Sequence, residues 1–438
     1  MKGLRSFVVL LAVAAALGGF LWYDSTRAPD AGSKQEKVFA GVDADKIEQV
    51  TVTSAAGEKT TVQKQGSAWQ VTAPAAAPAD EAELSGITSN LASLEVQRVV
   101  DEQASDFKEY GLEPANVTVA FKAAGKEQTL LLGNKTPTGG DMYARLPSSP
   151  RVFLVSSFLE TTFNKSTFDL RDKTVLKLDR EKVERVEVQT ADRTVTFVKQ
   201  GADWRITSPI EARADFGAVE GIIGRLNTSP MKSIEAGDAS DPKLLARFGL
   251  DKPAATVRVT SGSSQAGLAI GKSAAEGTVY ARDLSRPLIF TVESGLADDL
   301  KKAPDEFRIK DLFDARAFNT TRIEVARQGR TLAFEKDKDV WKQVTPAARA
   351  ADAAKVDALL SALTGTRANG FETKLAAAGL DAPEIVATLK FEDGKKEEKV
   401  TFARKGADAF ARREGDTAAA KIDASTLDGI IKAFDALK

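Results

Sequence analysis

The chain has 438 residues and a formal net charge of −1, with 43% hydrophobic and 28% charged residues. It contains neither cysteine nor histidine, which excludes disulfides, thiolate nucleophiles, metals held by Cys or His, and acid–base catalysis by His. A net charge this close to zero provides no basic field that would attract nucleic acid. We therefore expect two to four globular domains that bind no nucleic acid, and any chemistry left to them would use carboxylates, Lys, Tyr, Ser/Thr or an oxygen-ligated cation.

The N-terminus carries an uncharged run, SFVVLLAVAAALGGFLWY over residues 6–23, which follows Arg5. As a helix this run would be about 27 Å long, close to the ~30 Å of a bilayer's hydrocarbon core. The positive flank predicts that residues 1–5 are cytoplasmic, residues 6–23 form a transmembrane anchor in the inner membrane, and residues 24–37 form a linker. The rest of the chain would then be periplasmic. A cleaved signal peptide is the alternative, although its small-x-small triplets lie inside the run.

Beyond this segment, one pattern occurs three times. A tryptophan stands in the contexts WQVTAP, WRITSP and WKQVTP, and an aspartate follows it eleven positions later. These residues are Trp69, Trp204 and Trp341, followed by Asp80, Asp215 and Asp352. Apolar residues then recur four, seven, eight and eleven positions after each Asp, with Thr88 as the exception in the first copy. This spacing predicts a strand, a turn and an amphipathic helix that the Asp caps.

The similarity between the copies continues towards the C-terminus. Gly-Leu occurs in YGLEP, FGLDKP and AGLDAP, and the left-handed conformation that Gly allows predicts a helix stop at each position. Alternating segments follow, and they end in an aromatic residue with an Arg two positions later. These pairs are Tyr143 with Arg145, Tyr280 with Arg282, and Phe410 with Arg412.

These patterns predict an α+β protein in which the transmembrane helix precedes three tandem repeats. Each repeat would be a mostly antiparallel β-meander with one capped amphipathic helix, further strands and a short terminal helix. We predict repeat units over residues 38–178, 179–313 and 314–438. A unit of about 130 residues is large enough to have its own core.

The stretch AGLAIGKS in the second copy matches a relaxed phosphate-binding loop that ends in Gly271, Lys272 and Ser273. Such a loop must lead into a helix N-terminus, so that backbone N–H groups converge on the anion. Here the following residues lead into a second strand at Tyr280, which predicts a hairpin with Gly271 at the end of its first strand. We therefore expect no nucleotide to bind.

The other repeated residues each have a structural and a functional interpretation. The tryptophans fit a hydrophobic core better than a ligand-stacking platform, because a platform would need polar partners repeated beside it. Each repeated Asp fits a helix cap better than a metal ligand. The aromatic–Arg pairs could bind a carboxylate or a polysaccharide, or they could simply stack on the strand surface. We assign no catalytic, cofactor-binding or metal-binding residue.

Taken together, the Trp context, the Asp-capped apolar pattern, the Gly-Leu motif and the YAR triplets resemble the bacterial domain-of-unknown-function family 4340. The resemblance covers nearly all of residues 38–438 and is weaker in the third copy, where Ala403 and Phe410 replace the Gly and Tyr of the other copies. It implies one N-terminal membrane helix followed by exported repeats, with no established activity. Because genes for such proteins often neighbour components of gliding-motility-type ABC transporters, it also implies an accessory role in the envelope.

From these observations we expect a membrane-anchored envelope protein that is not an enzyme and that binds a partner, with ABC transporter components as candidates. Tandem domains on an anchor gain effective concentration near membrane partners. A glycan- or peptidoglycan-binding protein is the alternative, and it requires exposed tryptophan or tyrosine side chains. A carboxylate-dependent hydrolase is a third hypothesis, and it requires two acidic residues about 5–10 Å apart in a pocket.

Overall fold

A computed structural model describes residues 36–237, 239–275 and 277–437 of the chain. The predicted anchor over residues 6–23 lies outside these ranges. None of the helices within them is both long and apolar enough to cross a bilayer. The chain divides into two compact units, of which the first ends at Lys173 and the second begins at Thr174.

The described part of the chain forms three nine-stranded antiparallel sheets, one in the first compact unit and two in the second. The first contains β1 (Ile47–Thr53), β2 (Lys59–Gln65), β3 (Ala68–Ala73), β4 (Ala77–Pro78), β5 (Arg98–Asp101), β6 (Val117–Ala123), β7 (Lys126–Lys135), β8 (Asp141–Arg145) and β9 (Val152–Ser156). Helix α1 (Glu81–Ser93) lies between β4 and β5, and α2 (Leu159–Phe163) follows β9.

The second sheet repeats this order of elements. It contains β10 (Val183–Thr190), β11 (Thr194–Gln200), β12 (Asp203–Ser208), β13 (Ala212–Arg213), β14 (Ser233–Ala236), β15 (Ala255–Ser261), β16 (Ser264–Ser273), β17 (Thr278–Asp283) and β18 (Ile289–Glu293). Its helices are α3 (Phe216–Thr228), α4 (Pro242–Phe248) and α5 (Ser294–Lys301).

The third sheet follows the same plan. It contains β19 (Thr320–Arg327), β20 (Arg330–Asp337), β21 (Val340–Thr345), β22 (Arg349–Ala350), β23 (Gly370–Glu372), β24 (Ile385–Phe391), β25 (Lys396–Lys405), β26 (Asp408–Arg413) and β27 (Ala419–Ile422). Its helices are α6 (Ala353–Thr364) and α7 (Ala424–Asp435), and short 3-10 turns cover Ala44–Lys46, Arg180–Lys182, Pro304–Phe307 and Leu375–Ala378.

Strand order is identical in the three sheets: β4-β3-β2-β1-β6-β7-β8-β9-β5 in the first, and the corresponding order in the other two. The tandem α+β organisation is therefore confirmed. We predicted three strands before the capped helix and three or four after it, whereas the structure has four and five, so two or three strands per repeat were missed. Two of the missed strands are the edge strands, which have between two and four residues and are too short to show an alternating pattern.

Each sheet packs one face against its long helix. The helix begins at the predicted aspartate, whose carboxylate accepts hydrogen bonds from backbone amides of the first turn. The predicted apolar face is buried in all three helices, and it includes Thr88. The capping and core predictions are thus confirmed, because both depend on contacts within one short segment.

The Gly-Leu motifs adopt the left-handed conformation that we predicted, with φ of 67° at Gly111, 69° at Gly249 and 68° at Gly379. The helix stop is confirmed at Gly249, which caps the separate helix α4, and at Gly379, which caps the 3-10 turn Leu375–Ala378. None of the three ends an Asp-capped helix, because an edge strand intervenes. Such an edge strand depends on pairing with a distant strand, for example β5 with β9, which local sequence does not encode.

The predicted boundaries between repeat units, at residues 178/179 and 313/314, stay predictions. Each repeat contains an isolated antiparallel bridge between a residue ahead of its first strand and one behind its long helix. These bridges join Lys37 to Glu95, Thr174 to Pro230, and Asp311 to Arg367.

Candidate functional site

The three repeated tryptophans are core residues. Trp69, Trp204 and Trp341 are only 6%, 1% and 2% exposed. The indole N–H of Trp204 donates to Glu220 at 3.1 Å and that of Trp341 to Asp357 at 2.8 Å, and both acceptors lie on the long helix of the same repeat. The indole therefore joins the meander to the helix and is not a ligand platform, as the core interpretation predicted.

The aromatic–Arg pairs belong to a second, smaller core on the other face of each sheet. The ring of Tyr143 lies 5.0 Å from that of Tyr110, and the ring of Tyr280 lies 4.6 Å from that of Phe248. Phe410 is 4% exposed and packs with Ala378 and Ala419. In each repeat the segment between the fifth and sixth strands covers these aromatic rings.

The arginines of these pairs stabilise the same covering segments and the neighbouring loops. The Arg145 guanidinium lies 3.9 Å from the centre of the Phe107 ring. Arg282 donates to the Ala239 carbonyl at 3.0 Å, and Arg412 donates to the Asp416 carbonyl at 3.0 Å. These contacts support the structural interpretation over polysaccharide binding.

The phosphate-loop match lies in a hairpin, as predicted, because β16 pairs directly with β17. Gly271 does not end its strand, which continues to Ser273. A Cβ atom at Gly271 would lie only 2.3 Å from the Phe248 carbonyl oxygen, and one at Gly133 would lie 2.1 Å from the Tyr110 carbonyl oxygen. Glycine is therefore required here by close packing of the Gly-Leu turn against the strand.

Gly271→Ala is expected to destabilise the protein by about 1–3 kcal/mol, because the added methyl group overlaps a backbone carbonyl. The matched control is Gly221→Ala in helix α3, where a new Cβ meets nothing within 4 Å. That change should stabilise by up to about 1 kcal/mol through helix propensity. Thermal unfolding of both variants checks the prediction. Effects of the same sign and size would mean that packing does not require Gly271.

A group of four charged side chains, of which Glu398 alone is buried, lies where the second and third repeats meet within the second compact unit. Asp314 accepts from Arg213 on one carboxylate oxygen and from Arg413 on the other, both at 2.9 Å. Arg413 also donates to Glu398 at 2.8 Å. Glu398 is 3% exposed, and it accepts from the backbone amide of Ala315 at 3.2 Å. We refer to Arg213, Asp314, Glu398 and Arg413 as the junction cluster.

The pKa values of the two carboxylates in the junction cluster shift in opposite directions. Burial raises the pKa of Glu398 above its usual value, although the Arg413 guanidinium opposes this shift. Burial also acts against the charged form of Asp314, but Arg213 and Arg413 outweigh it and hold the pKa of Asp314 below its usual value. The oxygens of both carboxylates accept hydrogen bonds from arginines or backbone amides. This arrangement fits a structural joint better than an acid–base pair.

A different surface is open and charged. In the third repeat, strands β19, β24 and β25 line an open cavity of about 410 Å³ on the face of the sheet opposite the main core. Its lining residues are Arg322, Glu324, Ala326, Val386, Thr388, Lys390, Glu397 and Lys399. Arg322 pairs with Glu324 at 2.9 Å and Lys390 with Glu397 at 3.2 Å. We call this surface the charged sheet face.

The second repeat has the same feature, since Arg185 pairs with Glu187 at 3.3 Å on the corresponding strand β10. The first repeat has hydroxyls there, with Thr51 and Thr61 in hydrogen-bond contact at 3.1 Å. Our sequence interpretation missed this surface. The signal was the match between RVEV, beginning at Arg185, and RIEV, beginning at Arg322. Within the described part of the chain, no group of three or more acidic residues could hold a metal ion.

Comparison with known proteins identifies the family. The model of "Domain of unknown function (DUF4340)" matches residues 69–203 and 204–383, which is more than half of the chain. The chain belongs to the DUF4340 family. Both matched segments begin at a buried tryptophan, Trp69 or Trp204, so the DUF4340 match follows the structural repeat. No curated protein matches the chain significantly.

Solved structures add no functional information. A DNA polymerase sliding clamp from Pseudomonas aeruginosa is 9% identical, with 87% of this chain and 92% of the clamp aligned and a TM-score of 0.18. A ligand-bound form of that clamp gives 9% identity, coverage of 88% and 93%, and a TM-score of 0.17. TM-scores this low carry no argument about the fold of this DUF4340 protein.

Proposed function

We propose that this DUF4340 protein is a membrane-anchored, extracytoplasmic binding protein that acts without catalysing a reaction. The observation that carries the proposal is the charged sheet face. It is a broad, open and polar surface on a rigid sheet, with both signs of charge interspersed along three strands. Such a surface suits electrostatic recognition of a protein partner, because complementary charges select and orient the partner without deep burial.

The apolar run at residues 6–23 supports the anchor, and three tandem domains on one anchor raise the effective concentration of their surfaces beside membrane proteins. We propose components of a gliding-motility-type ABC transporter as the partner, which is the association that the family resemblance implies. The glycan-binding alternative requires exposed tryptophan or tyrosine side chains, and it loses its main support because the three repeated indoles are buried. The junction cluster does not favour the hydrolase alternative, because both of its carboxylates already accept hydrogen bonds from arginines or backbone amides.

Cross-linking in native membranes tests the proposal. The full chain is expressed in its own bacterium, cross-linked through lysines such as Lys390 and Lys399, and the attached peptides are sequenced. We expect transporter subunits among the proteins attached at these two lysines. Recovery of only chain-internal cross-links there would contradict the proposed function.

A charge-reversal pair then tests the surface itself. Glu324→Lys with Glu397→Lys is expected to reduce the cross-linked partner about tenfold, because like charges then face the partner's basic groups. Asp251→Lys with Asp298→Lys is the matched control, since it makes the same change in net charge at exposed positions away from this face. Equal loss in both variants would contradict a role for the charged sheet face.

A further inference from the structure

The second repeat has an open pocket where the turn between β15 and β16 approaches the segment ahead of β10. The pocket has a volume of about 460 Å³. One wall comes from Lys177, Leu178, Asp179 and Lys182, and the other from residues between Val259 and Ala266. All of these residues belong to the second compact unit, so the pocket lies within one body of the protein.

The strand residues of this pocket lie on the side of the sheet that faces the core. Val259 and Ser261 follow the buried Val257 at alternate positions of β15, and Ala266 precedes the buried Leu268 by two positions on β16. Successive side chains of a strand point to opposite faces of the sheet. The pocket therefore extends from the end of the core, where the sheet of the second repeat is incompletely filled.

In the third repeat, large side chains fill the corresponding positions. Ser261 pairs with the first residue of β10 as Phe391 pairs with the first residue of β19, so these two positions are equivalent. The pairing of β15 with β16, and of β24 with β25, likewise places Ala266 at the position of Glu398. Phe391 and Glu398 are both 3% exposed. The third repeat thus has a phenyl ring and a carboxylate where the second has a hydroxyl and a methyl group.

The first repeat also fills this end of its sheet. Phe121 lies at the position of Val259, and its ring packs edge-on against that of Phe39 at 4.9 Å. The second repeat compensates only in part, since Leu178 corresponds to the smaller Ala315 but is half-buried. Loss of core side-chain volume leaves a cavity wherever the neighbours do not collapse into it.

The third repeat shows which backbone groups hold a carboxylate at this place. The Glu398 carboxylate accepts from the Asp314 amide at 2.9 Å and from the Ala315 amide at 3.2 Å. In the second repeat Leu178 occupies the position of Ala315, and its amide donates to no group in the described part of the chain. A backbone N–H in this position can donate a charge-assisted hydrogen bond to a carboxylate.

The charge at the rim of the pocket also favours an anion. Lys177 occupies the position of Asp314, so an acidic group of the third repeat is replaced by an ammonium group. Lys182 lies at the same rim and pairs with Asp179 at 2.7 Å. Two lysines against one aspartate give the charged lining residues a formal net charge of +1.

The arginine that pairs with Glu398 in the third repeat has no basic counterpart. Asp283 lies at its position, because Asp283 is opposite Leu268 as Arg413 is opposite Val400. The Asp283 carboxylate pairs with Arg286 at 2.6 Å, and Asp283 does not line the pocket. The cationic groups of the pocket are therefore the two lysines at its rim.

We propose that this pocket binds a small aromatic carboxylate. The aromatic ring takes the space that Phe391 fills in the third repeat and packs on Val259 and Ala266. The carboxylate accepts from the Leu178 amide and lies beside Lys177, much as the glutamate of the third repeat lies on its two amides. An apolar wall with a few polar groups at one end is typical of small-ligand sites. The site shares no residue with the charged sheet face, so failure of either proposal leaves the other standing.

Saturation-transfer NMR of the purified full chain tests the site with hydrocinnamate as the probe. We expect saturable binding with a Kd of about a millimolar, because a ligand of this size has few atoms to bury. Hydrocinnamamide has the same ring without the charge and should bind about tenfold more weakly. Propionate, which lacks the ring, should not bind measurably. Absence of hydrocinnamate binding, or equal affinity for the amide or for propionate, would overturn the proposal.

Two pairs of matched variants locate the site. Ser261→Phe restores the ring of the third repeat and should abolish hydrocinnamate binding, whereas Thr260→Phe adds a ring on the opposite face of β15 and should leave binding unchanged. Lys177→Gln should weaken hydrocinnamate binding about threefold at low salt without affecting hydrocinnamamide. Lys252→Gln makes the same change in net charge at an exposed position outside the pocket and should affect neither probe.

The exposed Lys177 is tolerant of substitution, so the lysine pair tests the site even where the added ring prevents folding. Hydrocinnamate binding that persists in Ser261→Phe would refute the pocket as the binding site. Equal loss in both members of either pair would refute it as well.

Discussion

Replacing Trp341 with alanine is expected to destabilise the third repeat by about 3–5 kcal/mol. The indole is 2% exposed, packs between the meander and helix α6, and donates to Asp357 at 2.8 Å. Its removal leaves a large cavity and a carboxylate without its donor. Urea unfolding of the full chain, followed by hydrogen exchange of β21 and α6, measures the loss.

The neighbouring Val340 provides a matched control, because it lies on the same strand but is 57% exposed. Val340→Ala should change stability by no more than about 0.5 kcal/mol. If the two variants unfolded at the same urea concentration, the tryptophan would not join the helix to the sheet. Trp204→Ala should reproduce the loss in the second repeat, since Trp204 is 1% exposed and bonded in the same way to Glu220.

Removal of Arg413 is expected to cost about 3–5 kcal/mol, because it leaves the buried charge of Glu398 without its ion-pair partner. Arg413 donates to Glu398 at 2.8 Å and to Asp314 at 2.9 Å, so Arg413→Ala affects both carboxylates. Urea unfolding of the full chain measures the cost. The double change Arg413→Met with Glu398→Gln should recover most of the loss, since it removes the unpaired charge as well.

The loss in Arg413→Ala should depend on pH in a defined direction. The folded-state pKa of Glu398 is already raised by burial, so stability from this group is greatest at low pH and falls as pH rises through the raised pKa. Without Arg413 the pKa of Glu398 rises further. The pH range in which the protonated Glu398 carboxyl stabilises the folded protein therefore extends upward. The difference in stability between wild type and variant should therefore be smaller at about pH 5 than at about pH 8. A difference that shrinks as pH rises would contradict an uncompensated Glu398 charge.

Much of each repeat could be predicted from sequence, because the relevant signals lie within short segments. The Asp caps act on amides two or three residues away, and the apolar faces follow helical spacing. The phosphate-loop match was rejected for a local reason too, since a strand and not a helix follows Ser273. The identity of the proposed binding surface was missed because charges that alternate on a strand also occur on ordinary solvated faces.

By itself, then, the sequence determined the number of repeats, the α+β class, the caps of the long helices and the burial of the tryptophans. The class, the caps and the buried tryptophans follow from residues within about a dozen positions of one another, where helical and strand periodicity operate. The number of repeats follows from the recurrence of that short pattern along the chain. The tertiary structure decided the rest. It placed the fifth strand beyond the ninth and required glycine at Gly271 through contact with a distant carbonyl. It also brought Glu398 and Arg413 to Asp314 from 84 and 99 positions away, because antiparallel pairing sets which distant residues meet.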